Sequence, residues 1–350
     1  MKAKIYMQNI TEGKKTLAAI KKIAILYSAV KREYFNTEAE YITEKDAERD
    51  AKVIASYLKN LGFDAYVIPA DDDFQQKIKK IKPDMVFNLV GSVRGIDRLA
   101  ATIPSILEFL EIPFTGAGIF CETLSYNKFL TAELLKSVSV TVPNSQLFSD
   151  DKDDLNSGLK FPLISKLNEV HGAVNMDKDA ISFNEKHLRN RVEFLIETYH
   201  QPVLVQEFIA GRELTAIVLE GDDENVFAAE KVFDKDTGDF SFATFDDQWA
   251  DGNGFHYEKY EDEKLKNLAR KAFSISKMHD YAKFDIRLDR AENYFFVDSN
   301  SNPAFGPKEL NCAISNVLHL YGASFNTILE RIILNTVKRF FIFRQHSEIS

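Results

Sequence analysis

The feature that most restricts how this chain can fold is an alternation in its first third, where short apolar runs flank a stretch of helical periodicity. Ile23-Ala24-Ile25-Leu26-Tyr27 has the length and composition of a buried strand. From about Glu44, the residues Ala47, Ala51, Ile54, Ala55, Leu58 and Leu61 recur at helical spacing. They predict a helix with Thr43 and Asp46 as a capping box and Gly62 as its stop. Phe63 to Ile68 then reads as a second strand. Met85-Val86-Phe87-Asn88-Leu89, after the Pro83-Asp84 turn, reads as a third. Strand, helix and strand in this order give an α/β arrangement, a parallel sheet wrapped by helices.

Near Gly116-Ala117-Gly118 the texture changes. A short helix from Asn127 to Lys136 leads through Pro143 and the acidic loop Asp150 to Asp154 into a strand, Pro162 to Lys166. A helix from Glu185 to Thr198 precedes two β runs, Val203 to Ile209 and Glu213 to Leu219, with Gly211 as a turn or bulge between them. A polar loop covers Asp234 to Gly254, and an amphipathic helix follows from Glu261 to His279. The last β pair, Lys283 to Asp289 and Tyr294 to Asp298, precedes two closing helices. The later part therefore has α+β character, and no internal repeat is visible.

At 350 residues the chain exceeds one ordinary core and predicts two or three domains. A formal charge of -9 argues against a nucleic-acid or anionic-membrane partner. It leaves room for a locally basic site that takes a small anion. Cys121 and Cys312 form no CxxC pair, so neither a disulfide framework nor a thiolate zinc site is supported. The apolar runs at Ile23–Tyr27 and Phe340-Phe341-Ile342-Phe343 are too short for a signal peptide or a membrane span. A cytoplasmic enzyme is the expectation.

Chemistry concentrates in Lys283-Phe284-Asp285-Ile286-Arg287-Leu288-Asp289 and Tyr294-Phe295-Phe296-Val297-Asp298-Ser299-Asn300. Strand periodicity puts Asp285, Arg287 and Asp289 on one face, and Asp298 with Asn300 on one face of the next strand. If the strands pair through the Arg290 to Asn293 turn, hard oxygen ligands suited to Mg²⁺ converge. The competing reading is a charged hairpin in solvent, but Phe295, Phe296 and Val297 make the second strand a buried element whose acids need partners. Lys128 opens a helix, and Lys166 ends an apolar strand before a small-residue loop. Each suits a phosphate as a point charge, or is simply solvated. In Gln206-Glu207-Phe208-Ile209-Ala210-Gly211-Arg212-Glu213, extended backbone at Glu207 to Ile209 offers an adenine edge its partners, and Glu213 offers ribose hydroxyls an acceptor. The alternative there is an ordinary edge hairpin.

Taken together these pieces resemble the ATP-grasp superfamily and, within it, the D-alanine–D-alanine ligase family, from Ile23 to about Leu334. Lys128 in Leu124-Ser125-Tyr126-Asn127-Lys128 and Lys166 in Phe161-Pro162-Leu163-Ile164-Ser165-Lys166 match its ATP-phosphate lysines. Gln206, Glu207, Phe208, Ile209 and Glu213 match its hinge strand and following glutamate. Asp285, Asp298 and Asn300 match its metal set, with Asp for Glu at one ligand. Val86-Phe87-Asn88-Leu89 and Leu110-Glu111-Ile112-Pro113-Phe114-Thr115-Gly116 resemble its first domain.

The resemblance implies a Rossmann-like domain over 1–120, a small central ATP-grasp domain over 121–204 and a C-terminal ATP-grasp domain carrying the metal and catalytic site over 205–350. It implies ATP-dependent joining of a carboxylate to an amine, both small molecules and most simply amino acids, through an acyl phosphate. The cofactors would be ATP and Mg²⁺, with Mn²⁺ as the alternative cation. Lys283 and Arg287 are the implied catalytic residues. Arg94 and Arg98, with Arg287, are candidates for holding a substrate carboxylate, with surface salt bridges as the rival role. The Asp234 to Gly254 loop would serve as a lid. Whether the chain forms a homodimer is left open.

Departures from the family pattern cluster on the substrate side. Gly91-Ser92-Val93-Arg94-Gly95-Ile96-Asp97-Arg98 replaces its His-Gly and Gly-Glu-Asp-Gly loop. Asn168-Glu169-Val170-His171-Gly172-Ala173-Val174 replaces a serine-rich phosphate loop, and Lys283 stands where an arginine is usual. Ser301-Asn302-Pro303-Ala304-Phe305-Gly306-Pro307-Lys308 lacks the usual Pro-Gly and later serine, and the 234–254 loop has no tyrosine. An ATP-binding regulatory protein that has lost ligation is therefore the alternative. A dinucleotide oxidoreductase is disfavoured, because Gly116-x-Gly118 is followed by Cys121 where a third glycine is needed.

Overall fold

The computed structural model describes residues 20–221, 225–234, 238–249 and 254–347. The opening alternation builds β1 (Lys22–Ser28), α1 (Glu38–Glu44), α2 (Ala47–Asn60), β2 (Asp64–Ala70), α3 (Phe74–Ile81) and β3 (Met85–Leu89). The strands form a parallel sheet in the order β2-β1-β3. Gly62, at φ +95, ends α2 as expected. The capping box lies one helix earlier than the sequence suggests. Thr37 caps α1, with its Oγ1 accepting from Glu40 N at 3.2 Å and its own N–H donating to Glu40 Oε2 at 2.9 Å. Thr43 Oγ1 instead donates to the Glu40 carbonyl at 2.7 Å, and Asp46 precedes α2 without a side-chain cap.

Next come α4 (Thr102–Phe109), α5 (Ile119–Ser125) and α6 (Lys128–Lys136), the last capped by Asn127. A four-stranded antiparallel sheet follows, built from β4 (Ser145–Phe148), β5 (Leu163–Leu167), β6 (Ile181–Ser182) and β7 (Val203–Glu207), in the order β4-β7-β5-β6. Helix α7 (Glu185–Tyr199) covers it through Leu188, Val192 and Leu195. The expected boundary between residues 204 and 205 falls inside β7, and α6 joins the core of the next sheet through Ala132 and Leu135.

That next sheet has five antiparallel strands in the order β10-β9-β8-β11-β12. They are β8 (Arg212–Leu219), β9 (Asn225–Phe233), β10 (Phe255–Tyr260), β11 (Tyr281–Leu288) and β12 (Tyr294–Asn300), with α8 (Phe245–Trp249) and α9 (Glu263–Ile275) inserted. The two β runs on either side of Gly211 enter different sheets and form no hairpin. Gly211 sits at φ +138, where an added Cβ would stand 2.2 Å from the Leu288 carbonyl oxygen, so the crossing needs glycine.

Period-two alternation gives the large sheet two unlike faces. Leu214, Ala216 and Val218 of β8, with Phe284, Ile286 and Leu288 of β11, join Leu265, Ala269 and Ala272 of α9 in one core. The opposite face is apolar at one end only. There Ile217, Leu219 and Tyr281 meet Ile23, Ile25 and Phe87 of the parallel sheet, together with the closing helices α10 (Ala313–Leu320) and α11 (Phe325–Ser347). At its other end this face is charged, and there it forms the floor of a cleft. Among the described residues, no helix is long and apolar enough to cross a membrane.

Candidate active site

The charged end of the face is a cross-strand ladder. Register aligns Lys231 of β9 with Glu213 of β8 and Arg287 of β11 in one row. The next row aligns Ala229, Thr215, Asp285 and Asp298. Lys283 follows, opposite Asn300. A register shift between Asp285 and Ile286 makes Val297 an extra residue in β12. This bulge keeps Asp298 opposite Asp285, and the Val297 carbonyl accepts from Lys166 Nζ at 3.2 Å. Asp289, expected to share this face, lies past the end of β11. Its Oδ1 accepts from the N–H groups of Ala291 at 2.9 Å and Asn293 at 2.8 Å, so it shapes the turn instead.

Because these charges are buried, each needs a partner. Lys231 Nζ donates to Glu213 Oε1 at 2.6 Å and lies 3.4 Å from Asp285 Oδ1. Lys283 Nζ donates to Asp285 Oδ2 at 2.6 Å. Arg287 reaches Glu213 Oε2 at 3.2 Å and the carbonyls of Ile209, Gly211 and Ser241 at 3.0, 2.8 and 2.7 Å. Burial on its own would raise the Asp285 carboxyl, but Lys283 and Lys231 outweigh it and hold the group well below the usual carboxylate range. Burial likewise opposes ionisation of Glu213, which Lys231 and Arg287 keep low. Asp298 is held down against burial chiefly by Lys128.

The roof comes from the four-stranded sheet and its loops. Lys166 leaves β5 into the cleft, and burial, reinforced by Lys128, lowers its ammonium from the ordinary lysine value. Lys128 Nζ donates to the Val170 carbonyl. Gln206 is buried with its Oε1 unpartnered. Glu207 accepts from Lys160 N and Asn144 Nδ2, each at 2.9 Å. Phe208 and Ile209 carry the chain across to the floor, with the Phe208 ring 5.1 Å from the Arg287 guanidinium and 5.7 Å from the Phe240 ring. Parts of the expected lid lie outside the described residues. Its described part touches the floor through Ala243 N to Glu213 Oε2 at 3.1 Å, and the loop after β5 through Trp249 Nε1 to the Gly172 carbonyl at 2.9 Å. About 930 Å³ of atom-free space, partly open to solvent, remains between floor and roof.

Lys128, Lys166, Gln206, Glu207, Phe208, Ile209, Glu213, Lys283, Asp285, Arg287 and Asp298 are thus brought to one cleft. Asn300 sits beside Lys283 at the end of β12, its Nδ2 unpartnered. Arg94 and Arg98 are not among the lining residues. Both are exposed, and Arg94 pairs with Asp72 on the surface, the salt-bridge role that rivalled carboxylate binding. Two ionisable lining residues escaped the sequence reading. Lys231 had a signal, a lysine alternating with Phe227, Ala229 and Phe233 on one face of β9, which demands a counter-ion. His171 had none beyond its place in a loop of small residues. Burial, then the nearby Lys128, depress its imidazole to about 3, so it is neutral.

Residues 135–334 match the family described as D-ala D-ala ligase C-terminus. The chain belongs to the D-alanine–D-alanine ligase family. It is 28% identical over 260 residues to the D-alanine–D-alanine ligase of Aquifex aeolicus, covering 73% of this chain and 84% of that relative. To D-alanine–D-alanine ligase B of Pseudomonas syringae pv. tomato it is 25% identical over 329 residues, covering 89% and 97%. The fold matches the crystal structure of the Bacillus anthracis D-alanine–D-alanine ligase complexed with ATP, at TM-score 0.69 and 18% identity, covering 91% of this chain and 98% of that one. The Coxiella burnetii ligase gives TM-score 0.68 at 16% identity, covering 94% and 97%. Family membership makes this an ATP-grasp protein and an ATP-dependent carbon–nitrogen ligase, as the resemblance implied.

Proposed function

We propose that the cleft joins the carboxylate of one amino acid to the amine of another at the expense of ATP, with Mg²⁺ or Mn²⁺ as the metal. The observation that carries this reading is the facing of Lys128 and Lys166, on the roof side, with Lys283, Asp285, Arg287 and Asp298 on the floor. In the reaction, a carboxylate oxygen bonds to the terminal phosphorus of ATP as the bond to ADP breaks, giving an acyl phosphate. The amine, as its free base, then bonds to the acyl carbon, phosphate departs and one proton is released. Such chemistry asks the protein for positioning and charge neutralisation instead of a nucleophile. Lys128 and Lys166 suit the phosphates, and Lys283 the transferred group. Arg287 ties Ile209 and Gly211 to the floor and so sets where a base would lie.

The donor set fits a hard divalent cation. Asp285 and Asp298 are opposite one another, both held ionised, and the Asn300 amide makes no hydrogen bond through Nδ2. Among the described residues no preformed group of three or more His, Cys, Asp or Glu side chains exists. Two carboxylates and an amide oxygen, completed by substrate phosphates and water, is a common magnesium arrangement that needs no such group. The metal would supply charge stabilisation to the transferring phosphoryl group.

The test is phosphate release from ATP and Mg²⁺ against a panel of D- and L-amino acids, with products identified by mass. A condensed product that disappears in Asp298→Ala supports the reading. ATP binding without turnover across the panel would favour the regulatory alternative.

A further inference from the structure

The loop of residues 168–174 offers no hydroxyl side chain, yet it is anchored on every side. Its Asn168 carbonyl accepts from Lys128 N at 3.2 Å, and Asn168 Oδ1 accepts from Phe129 N at 3.0 Å. The Val170 carbonyl accepts from Lys128 Nζ, His171 N donates to Asp97 Oδ2 at 2.8 Å, and the Gly172 carbonyl accepts from Trp249. A loop tied this way holds the one imidazole it carries in a fixed place. The His171 ring packs 4.5 Å from the Tyr126 ring and lines the cleft. Its Nδ1 is sealed from solvent and has no hydrogen-bond partner. An unpartnered buried nitrogen is costly, and it persists most simply where a ligand completes it.

The surroundings of the ring define which part of a ligand it meets. The charges that act on it are Lys128, Asp298 and Lys283. Lys283 and the Asp285–Asp298 pair lie along β11 away from Arg287, which marks the Ile209 end. At about 3.4 Å per residue, Lys283 is roughly 13 Å from Arg287, which is most of the length of an extended nucleotide triphosphate. With a base at Phe208 and Ile209, the terminal phosphoryl group falls among Lys128, Lys283 and His171.

We propose that His171 is a catalytic residue that hydrogen-bonds the terminal phosphoryl group of the bound triphosphate. The assignment rests on the ATP reading above. The neutral ring adds direction where the lysines add charge, one nitrogen donating and the other accepting.

Calorimetry of the wild type, His171→Ala and His171→Gln with ADP and with the non-hydrolysable β,γ-imido triphosphate, both with Mg²⁺, tests it. His171→Ala should weaken the triphosphate analogue about tenfold or more, as loss of a hydrogen bond to a charged group does, and leave ADP within about twofold. His171→Gln, which keeps a hydrogen-bonding group, should recover part of the loss. Equal weakening of both nucleotides, or of neither, in either variant would overturn the assignment. The Gln variant carries that comparison if the Ala variant does not fold. A wild type that binds neither nucleotide would remove the ATP reading and this assignment with it.

Discussion

Glu213→Ala is the sharpest test of how the cleft floor is held. Glu213 is the carboxylate that Lys231 and Arg287 share, at 2.6 and 3.2 Å, and all three side chains are buried. Removing one partner of a buried ion pair costs about 3–5 kcal/mol, because a charge is left uncompensated. Here the lower end applies. Lys231 keeps Asp285 at 3.4 Å, and Arg287 keeps three backbone carbonyls. A loss of about 3 kcal/mol, at roughly 2–4 °C per kcal/mol for larger domains, lowers the melting temperature by some 6–12 °C. In Glu213→Leu with Lys231→Met, both charges leave together, so the double variant should cost less than Glu213→Ala. The sign with pH is fixed too. Because the folded Glu213 carboxyl is depressed, its stabilisation is whole above the ordinary glutamate range and fades only as pH falls through the lower folded value. The gap between wild type and Glu213→Ala should therefore stay constant from about pH 6 to 9. A Glu213→Ala melting temperature within 2 °C of wild type, or a double variant worse than the single, would refute the shared-carboxylate argument.

Three further outcomes follow from the same charges. Lys166→Met should melt no lower than wild type without nucleotide, because burial already disfavours its ammonium, while triphosphate affinity falls at least about tenfold by calorimetry. Wild-type stability should decline as pH rises from about 4.3 to 7, since burial lifts the Glu122 and Asp97 carboxyls to about 7 and the folded chain keeps protons the unfolded chain has lost. Glu122→Gln should flatten that slope in denaturant titrations across this range, and an unchanged slope would contradict the assignment. Mg²⁺ alone should bind weakly, because Asp285 is already occupied by Lys283 and Lys231, whereas Mg²⁺ with the imido triphosphate should bind together; tight calorimetric binding of the bare ion would contradict this.

What the sequence makes legible divides along physical lines. The parallel sheet is readable because Ile23–Tyr27 is an unbroken apolar run and Met85–Leu89, interrupted only by Asn88, coincides with β3. Asp285 and Asp298 are readable because a carboxylate inside an apolar strand is anomalous wherever it occurs. The helix start was displaced because Thr37-x-x-Glu40 and Thr43-x-x-Asp46 carry similar local signals, and it is the first that caps. Strand pairing was harder still. Alternation on either side of Gly211 gives two strands but says nothing of their partners, so a crossing between sheets looks like a hairpin. Lys231 and His171 depend on neighbours distant in sequence, Glu213, Asp285, Tyr126 and Asp97. A local pattern does not contain that information.

The charge balance of the cleft explains how an acidic protein of net -9 can hold a polyanion. Its lining carries five cations, Lys128, Lys166, Lys231, Lys283 and Arg287, against four carboxylates, Glu207, Glu213, Asp285 and Asp298. One of those carboxylates, Glu207, is already bonded to the Lys160 N–H and the Asn144 amide. The remainder is a set of near-neutral pairs with a small positive excess, and burial strengthens every interaction within it. A bare anion would meet lysines already engaged, and a bare cation would meet carboxylates already engaged. A metal–triphosphate, the ligand proposed above, would offer both at once: each ammonium given up by Asp285 would find a phosphate oxygen, and each carboxylate oxygen released would find the metal. The floor's charges are therefore paired without ligand, and on that reading it would select for a ligand that carries both signs of charge.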